Sequence, residues 1–258
     1  MTHFGLFDSG IGGLTVLRRV VTAFPGCEYS YVGDSARAPY GGRPYEELWQ
    51  INKGIIEFLI SRGVNHLIMA CNTSCSQFLD VIRKDYDLPV TGIVTSIPEL
   101  VDEAFKRVVV MATQATVNTH AYRSMIMAKD PSIEVIELAC PTLVPIIERG
   151  EFNLDDLAEV NRALNEAIIF DPSHIVMGCT HYPFLEEIWR ETCPKGVTLV
   201  NPADGIVKAL SGIEIKGGEK QGKIEYYVSG NETRFQDIIE SDLVLGSSPT
   251  RFWLTCAL

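Results

Sequence analysis

Residues 66–73 read HLIMACNT, and residues 174–181 read HIVMGCTH. The two segments share a histidine, a methionine and a cysteine in register, and the cysteines, Cys71 and Cys179, lie 108 residues apart. In each segment a short apolar run ends at the cysteine and passes into polar residues, which is the pattern of a buried strand that stops at its carboxyl end. This internal repeat predicts two similar halves, each with one cysteine at the end of a strand.

Short apolar or β-branched runs alternate with helix-like stretches along the rest of the chain. Strands are predicted at positions 4–8, 28–32, 66–70, 90–94, 107–112, 133–138, 174–178, 197–200 and 224–228. Several of these runs lack alternating polar residues, as strands covered on both faces do. Alternation of such strands with helices predicts an α/β fold with two pseudo-symmetric, open, mainly parallel-sheet domains, whose ligands bind beyond the carboxyl ends of the strands.

Two helix starts are marked by capping residues. Asn153 precedes a helix-like stretch at 154–169 that has acidic residues in its first turn. Ser96 and Glu99 have the spacing of a capping box, which predicts a helix from there to about position 106.

The repeat also predicts where the chain divides. A boundary is expected near positions 94–96, between the two copies of the strand–cysteine pattern. We therefore predict a first domain built from residues 1–95 plus 207–258, with the C-terminal segment packed back onto it, and a second domain from residues 96–206.

Composition and charge exclude several classes of protein. Of the 258 residues, 46% are hydrophobic and 21% are charged, as in an ordinary globular protein. The net charge of −11 repels phosphate backbones, so nucleic acid is not an expected partner.

The N-terminal MTHFGLFDSG lacks the regions of a signal peptide, and no apolar run is long enough to predict a membrane span. Seven cysteines without a disulfide-type spacing then indicate reduced thiols in the cytoplasm.

Most cysteines fit the ordinary role of a small buried apolar residue. This interpretation applies to Cys27, Cys75, Cys140, Cys193 and Cys256. Cys71 and Cys179 differ because each ends an apolar strand and begins a polar triplet. A helix N-terminus just beyond such a cysteine lowers the thiol pKa from about 8.5 toward neutrality.

Three kinds of chemistry use such thiols. A zinc site could draw on Cys71, Cys75, Cys179 and His181, but these spacings are not those of common structural sites, so no metal is expected. A thiol hydrolase needs one cysteine beside a histidine, which Cys179 and His181 offer, but it leaves the second thiol unexplained. Two thiols on facing halves suit a two-base racemisation, in which one removes a proton from a carbon and the other returns one to its opposite face.

Loops at three further strand ends carry polar groups. They are FDSGIGGLTVL at 7–17, GDSARAPYGG at 33–42 and MATQATV at 111–117. Asp8 in the first loop is either a helix cap or a charge partner of Cys71. Glycines beside it allow backbone amides to approach a ligand closely. Hydroxyl groups in the third loop, at Thr113 and Thr116, either hold a carboxylate or cap a helix.

These motifs together resemble a known family. FDSGIGGLTV, GDSARAPYG, ACNTS, ATQATV, ACPTLVPIIE and GCTHYPFL, in this order, resemble the bacterial glutamate racemases of the cofactor-independent aspartate/glutamate racemase superfamily. The resemblance runs from Gly5 to about Asp204. It implies two α/β domains with the active site in the cleft between them, interconversion of L- and D-glutamate without a cofactor, and a supply of D-glutamate for peptidoglycan. It also implies a homodimer.

The resemblance assigns roles to single residues. Cys71 and Cys179 match the two acid/base residues, with Cys71 acting on D-glutamate and Cys179 on L-glutamate. Asp8 matches the residue that assists Cys71, while Glu148 and His181 match those that assist Cys179. Substrate-binding positions are matched by Asp8, Ser9, Pro39, Tyr40, Gly41, Asn72, Thr73, Thr113, Thr116, Thr180 and His181.

Other functions remain open at this point. Aspartate or another acidic amino acid is the nearest alternative substrate, because selectivity depends on the depth of the pocket. A cysteine-dependent hydrolase or amidotransferase would need Cys179 but not Cys71. A non-catalytic amino-acid binder would need neither thiol.

Overall fold

The computed structural model describes residues 1–230, 232–241 and 250–251. Its strands are β1 (His3–Asp8), β2 (Glu28–Gly33), β3 (His66–Met69), β4 (Val90–Gly92), β5 (Arg107–Ala112), β6 (Glu134–Ala139), β7 (His174–Gly178), β8 (Thr198–Val200), β9 (Ile224–Val228) and β10 (Thr250–Arg251). They form one sheet of order β10-β9-β2-β1-β3-β4 and a second of order β6-β5-β7-β8. Every pairing in the two sheets is parallel. The predicted α/β fold with two mainly parallel sheets is confirmed.

Helices connect the strands, as parallel pairing requires. They are α1 (Gly13–Ala23), α2 (Tyr45–Ser61), α3 (Asn72–Asp85), α4 (Gln114–Thr119), α5 (Ala121–Lys129), α6 (Leu143–Arg149), α7 (Leu154–Ile168), α8 (Glu186–Thr192), α9 (Pro202–Ser211) and α10 (Glu232–Ser241). Short 3-10 helices lie at Ser35–Arg37, Tyr40–Gly42, Val94–Glu99 and Tyr182–Leu185.

The internal repeat corresponds to a repeated strand order. The order β2-β1-β3-β4 in the first sheet recurs as β6-β5-β7-β8 in the second. Strands β3 and β7, which carry the twin sequence, therefore occupy equivalent places. Cys71 follows β3 as the N-terminal cap of α3, and Cys179 directly follows β7, so each thiol lies at the carboxyl edge of its sheet.

The C-terminal segment adds to the first sheet. Strand β9 pairs along β2 over five residues, and β10 pairs with β9. Helix α9 packs on α1 and on the 3-10 helix Val94–Glu99. The domain limits 1–95 plus 207–258 and 96–206 stay a prediction. Cys256, predicted to be a buried packing residue, lies outside the described residues.

One predicted helix is wrong. The segment after Ser96 forms only the 3-10 helix Val94–Glu99, and no helix continues to position 106. Pro98 lies inside this short helix and has no N–H to donate. The hydroxyl of Ser96 donates to the Gly92 carbonyl at 2.8 Å, so it does not cap a following helix.

The apolar core is continuous between the two sheets. Along β5, Val108 and Val110 pack into the same cluster as the first sheet, whereas Val109 and Met111 pack into a separate cluster with α6 and α7. This alternation follows the two-residue period of a strand, so one face of the second sheet shares an apolar cluster with the first sheet. The carboxyl edges of both sheets are thereby held close together.

None of the helices in the described part of the chain is long and apolar enough to cross a lipid bilayer.

The predicted cap of α7 is confirmed and gives a stability test. The Asn153 side chain accepts the Asp156 N–H at 2.9 Å, and the Asp156 carboxylate accepts the Asn153 N–H at 3.2 Å. Asn153→Ala is expected to lower the free energy of unfolding by about 1 kcal/mol, because it leaves a helix N–H without its acceptor. Urea unfolding measures the change.

Asn165→Ala is the matched control, since Asn165 is exposed on the same helix and alanine favours helix. Equal stability of Asn153→Ala and Asn165→Ala would contradict the capping interpretation.

Candidate active site

A small cavity of about 20 Å³ lies between the carboxyl edges of the two sheets. It is lined by Ser9, Pro39, Tyr40, Gly41, Cys71, Asn72, Thr73, Thr113, Val144, Cys179, Thr180 and His181. Most of the predicted site residues therefore face one small space. Asp8, Thr116 and Glu148 do not line it, but each is in hydrogen-bond contact with a residue that does.

The two predicted thiols share this cavity. Cys71 reaches it from the end of β3, and Cys179 reaches it from the end of β7. Both residues are buried. The two thiols therefore reach one cavity from different sheets.

Cys179 is the first member of a chain of three polar groups. Its sulfur lies 3.7 Å from Nδ1 of His181, whose Nε2 lies 2.6 Å from Oε1 of Glu148. Burial disfavours the imidazolium, but the Cys179 sulfur and the Glu148 carboxylate outweigh it and raise the pKa of His181 well above its usual value. Burial likewise opposes ionisation of Glu148, yet the hydrogen bond and charge of His181 lower the pKa of that carboxyl. His181 is therefore protonated, with its proton available to Cys179.

Cys71 has a different environment. Burial, followed by the negative charge of Asp8, raises the pKa of the Cys71 thiol to about 12, so the lowering expected from the helix N-terminus beyond it is outweighed. Asp8 is itself fully buried, and this burial raises the pKa of its carboxyl despite the nearby His181 cation. Cys71 is thus a neutral thiol, whereas Cys179 lies beside the imidazole of His181.

Hydrogen bonds that Asp8 and Thr180 accept connect the two halves. The Thr180 hydroxyl donates to Oδ2 of Asp8 at 3.0 Å, while the Gly10 N–H donates to Oδ1 at 3.1 Å. The Thr15 hydroxyl also contacts the Thr180 carbonyl, at 3.1 Å. The predicted partnership of Asp8 with Cys71 is electrostatic here, because the Asp8 oxygens are held by Gly10 and Thr180.

The glycine-rich loop after β1 permits this close contact. A Cβ atom on Gly12 would lie 2.5 Å from both His181 Nδ1 and Thr180 Oγ1, and one on Gly10 would lie 2.6 Å from Glu148 Oε1. A Cβ atom at either position would force the Glu148, His181 or Thr180 side chain to shift. The glycines are needed for backbone-to-side-chain contact across the site.

Hydroxyl and amide groups complete the walls. The Thr73 hydroxyl lies 3.0 Å from that of Thr113, which lies 3.1 Å from that of Thr116. Thr113 also caps α4 by accepting the Thr116 N–H, so both roles considered for these threonines are compatible. The Asn72 carbonyl oxygen accepts a hydrogen bond from Tyr122, which orients the amide.

Tyr40 and Arg37 serve the structure of their loop. The Tyr40 hydroxyl donates to Asp34 at 2.7 Å, and Arg37 forms an ion pair with the same carboxylate. Tyr40 thus contributes to the cavity wall while its hydroxyl is engaged elsewhere. Arg37 is absent from the cavity lining.

Of the four residues considered for zinc, Cys75 lies apart from the other three. Cys75 packs against Gly92, where an added Cβ atom would lie 2.6 Å from the Cys75 sulfur, and it does not line the cavity. Within the described ranges, no group of three histidine, cysteine or acidic side chains is arranged to hold a metal ion.

Sequence reasoning missed several residues around the site. Val144 lines the cavity, and Arg234 of α10 donates to the Ile147 carbonyl at 2.7 Å, next to Glu148. The Arg234 cation also helps to lower the pKa of Glu148, after His181 and the Ile11 N–H. No local pattern marks these residues, because their contacts join segments far apart in the chain.

Comparisons with known proteins agree with this geometry. The family model described as Asp/Glu/hydantoin racemase matches residues 12–210. A glutamate racemase from Trichormus variabilis is 39% identical over 80% of this chain and 71% of its own length. The solved glutamate racemase of Bacillus anthracis superposes with a TM-score of 0.89 at 27% identity, covering 98% of this chain and 97% of that one.

A second solved structure was determined with a ligand. The glutamate racemase of Francisella tularensis in complex with D-glutamate superposes with a TM-score of 0.84 at 28% identity and covers 98% of this chain and 96% of that one. With the family model and a relative above 30% identity both matching most of its length, this chain belongs to the Asp/Glu racemase family, among the glutamate racemases.

Proposed function

We propose that this protein interconverts L- and D-glutamate by proton transfer between Cα and the two thiols, without a cofactor. The observation that carries this proposal is the single cavity reached by Cys71 from one sheet and by Cys179 from the other. A reaction at two faces of one atom uses both sulfurs. Neither a hydrolase nor an amino-acid binder needs this arrangement.

The two protonation environments supply the acid and the base. With L-glutamate, Cys179 as a thiolate takes the Cα proton, and the neutral Cys71 thiol gives a proton to the opposite face. With D-glutamate the roles reverse. Each turnover moves one proton from the substrate to the enzyme and one from the enzyme to the product, so the proton count is unchanged. His181 and Asp8 are the groups through which the two thiols return to their starting states.

Neutral donors hold the substrate carboxylates. Helix α3 begins directly after Cys71, and its first N–H groups, at Asn72 and Thr73, point toward the cavity end of the helix. The hydroxyls of Thr73, Thr113 and Thr180 and that of Ser9 lie on the same walls. These donors bind an anion without a lysine or arginine in the cavity lining.

The cavity must open to admit the substrate. A volume of about 20 Å³ accommodates roughly one water molecule, far less than an amino acid. We infer that the two halves separate for binding and close around glutamate, which excludes water and strengthens the hydrogen bonds to it. The contacts of Thr180 with Asp8 and Thr15 are those that separation would break.

We extend the proposal to the biological setting. D-glutamate for peptidoglycan is the product proposed from membership of the glutamate racemases. Cytoplasmic activity suits a reaction that depends on reduced thiols, and the six described cysteines are free. A homodimer is proposed from the family resemblance.

Replacement of either thiol tests the two-base mechanism. Cys71→Ser and Cys179→Ser are each expected to lower kcat/KM for racemisation by about 10²- to 10⁴-fold, because a positioned acid or base is lost. Circular dichroism with each glutamate enantiomer measures racemisation, and mass spectrometry measures deuterium uptake at Cα in D2O. Cys193→Ser, away from the cavity, is the control and should be unaffected.

Full racemase activity in either site variant would refute the mechanism. A covalent acyl group on Cys179 with Cys71 dispensable would indicate a hydrolase instead.

Substrate selectivity is the second test. L-glutamate, D-glutamate, L-aspartate and D-aspartate should be compared at equal concentration by the change in optical rotation. Glutamate is expected to be preferred by about 10- to 200-fold, the discrimination that one methylene group allows. Equal or faster turnover of aspartate would contradict the assignment of glutamate as substrate.

The Glu148–His181 pair predicts a pH effect. Because Glu148 helps to raise the pKa of His181, the imidazolium persists to higher pH than a free histidine would. In Glu148→Gln this support is lost and burial lowers the His181 pKa, so the proton leaves at lower pH. The alkaline limb of the kcat/KM profile should therefore move to lower pH.

Glu159→Gln, which alters a surface pair with Arg162, is the control and should leave the profile unchanged. A uniform loss of rate in Glu148→Gln with an unmoved alkaline limb would mean that Glu148 acts only on the structure.

A further inference from the structure

Ser74 has an unexplained buried hydroxyl. It is the third residue of α3, and its side chain is fully buried. Its Oγ has no hydrogen-bond partner of ordinary geometry among the described residues. Leaving a buried hydroxyl without a partner costs about 1–3 kcal/mol, so such groups in native proteins require an explanation.

Neighbouring hydroxyls on the same helix are already engaged. Thr73 contacts Thr113 across the cavity, and Ser76 donates to the Thr73 carbonyl at 3.2 Å. Ser74 differs in its position relative to the helix cap. In a capped helix, the N–H of the third residue points at the side chain of the cap, and the third side chain reaches back toward the cap.

Cys71 occupies the N-cap position of α3, and its side chain makes no capping hydrogen bond in this structure. The backbone N–H of Cys71 already donates to the Phe7 carbonyl at 3.3 Å, so the cap offers its sulfur to the Ser74 hydroxyl. Burial and Asp8 raise the pKa of Cys71, and the Ser74 N–H and hydroxyl act in the opposite direction. A sulfur that becomes negatively charged is a much stronger hydrogen-bond acceptor than a neutral thiol.

We propose that Ser74 is a positioning residue for Cys71, whose hydroxyl donates, together with the Ser74 N–H, to the sulfur when Cys71 is a thiolate. This inference rests on the proposed racemase function, in which Cys71 alternates between thiol and thiolate. The Ser74 hydroxyl, which has no partner in the described part of this structure, is then the donor to the Cys71 thiolate.

The internal repeat supports this interpretation. At the spacing of 108 residues, Ser74 corresponds to Tyr182, whose hydroxyl donates to the Cys140 carbonyl at 3.2 Å and not to Cys179. The residue at the Thr73 position is His181, which contacts Cys179. Each thiol therefore has its own stabilising group, an imidazolium for Cys179 and a hydroxyl with an N–H for Cys71.

Replacement of Ser74 leaves the other ionisable side chains near Cys71 in place. They are Asp8, Cys179, Tyr31 and Tyr40. A change in the acidity of Cys71 in a Ser74 variant is therefore attributable to the lost hydroxyl.

The experiment is alkylation of the full-length protein with iodoacetamide between pH 7.5 and 9.5, with the rate at each cysteine followed by peptide mass spectrometry. Below its pKa, a thiol reacts in proportion to its thiolate fraction. Ser74→Ala is expected to slow alkylation of Cys71 about tenfold, which corresponds to ~1.4 kcal/mol, and to leave Cys179 unchanged. Fragment ions distinguish Cys71 from the neighbouring Cys75.

Ser76→Ala is the matched control, and its Cys71 rate should equal that of the unmodified protein. Ser74→Gly, which keeps the N–H and cannot clash, should reproduce the slow Cys71 reaction. The melting temperature of Ser74→Ala should not fall, because the hydroxyl has no partner in the closed state. A lower melting temperature with an unchanged Cys71 rate, or an equal change at Cys71 and Cys179, would overturn the proposal.

This readout is independent of turnover. If alkylation changes as expected but no racemisation of glutamate is found, the role of Ser74 stands as a property of the thiol and the proposed function fails. If racemisation is found and Cys71 alkylation is unchanged in Ser74→Ala, the function stands and the role of Ser74 fails.

Discussion

The hydrogen bond from Thr180 to Asp8 is the contact on which the site depends. It joins the carboxyl end of β7 to that of β1, and so holds the two sheets edge to edge where Cys71 and Cys179 meet. This approach is possible only because Gly10 and Gly12 present no side chain to the opposite half. The glycine loop thus serves packing across the cleft as much as ligand binding.

The backbone is pseudo-symmetric, but the chemistry around it is not. Both thiols follow equivalent strands, yet Cys179 is flanked by an imidazolium held by Glu148, while Cys71 lies near the buried Asp8 carboxyl. A two-base reaction needs one proton donor and one acceptor at the same time. In the proposed two-base reaction, the unequal surroundings favour a proton on Cys71 before any substrate binds.

The parts that were predicted from sequence are those that local pattern determines. Apolar runs located β3 and β7, and the repeat placed Cys71 and Cys179 at equivalent strand ends. The prediction of a helix after Ser96 was wrong because it rested on residue spacing alone. Pro98 and the hydrogen bond from the Ser96 hydroxyl to the Gly92 carbonyl favour a short 3-10 helix. Val144, Ser74 and Arg234 depend on tertiary contacts or on unpartnered atoms, which no sequence pattern displays.

The charge of the chain constrains how such a site binds an acidic substrate. The whole protein carries −11, and the described cavity lining includes no lysine or arginine. The one cation, His181, is already balanced by Glu148. Recognition of the substrate carboxylates must then rest on N–H and hydroxyl donors. These donors compete poorly with water for an anion while the site is open to solvent. Such donors become effective when water is removed, so binding by this site requires closure around the substrate.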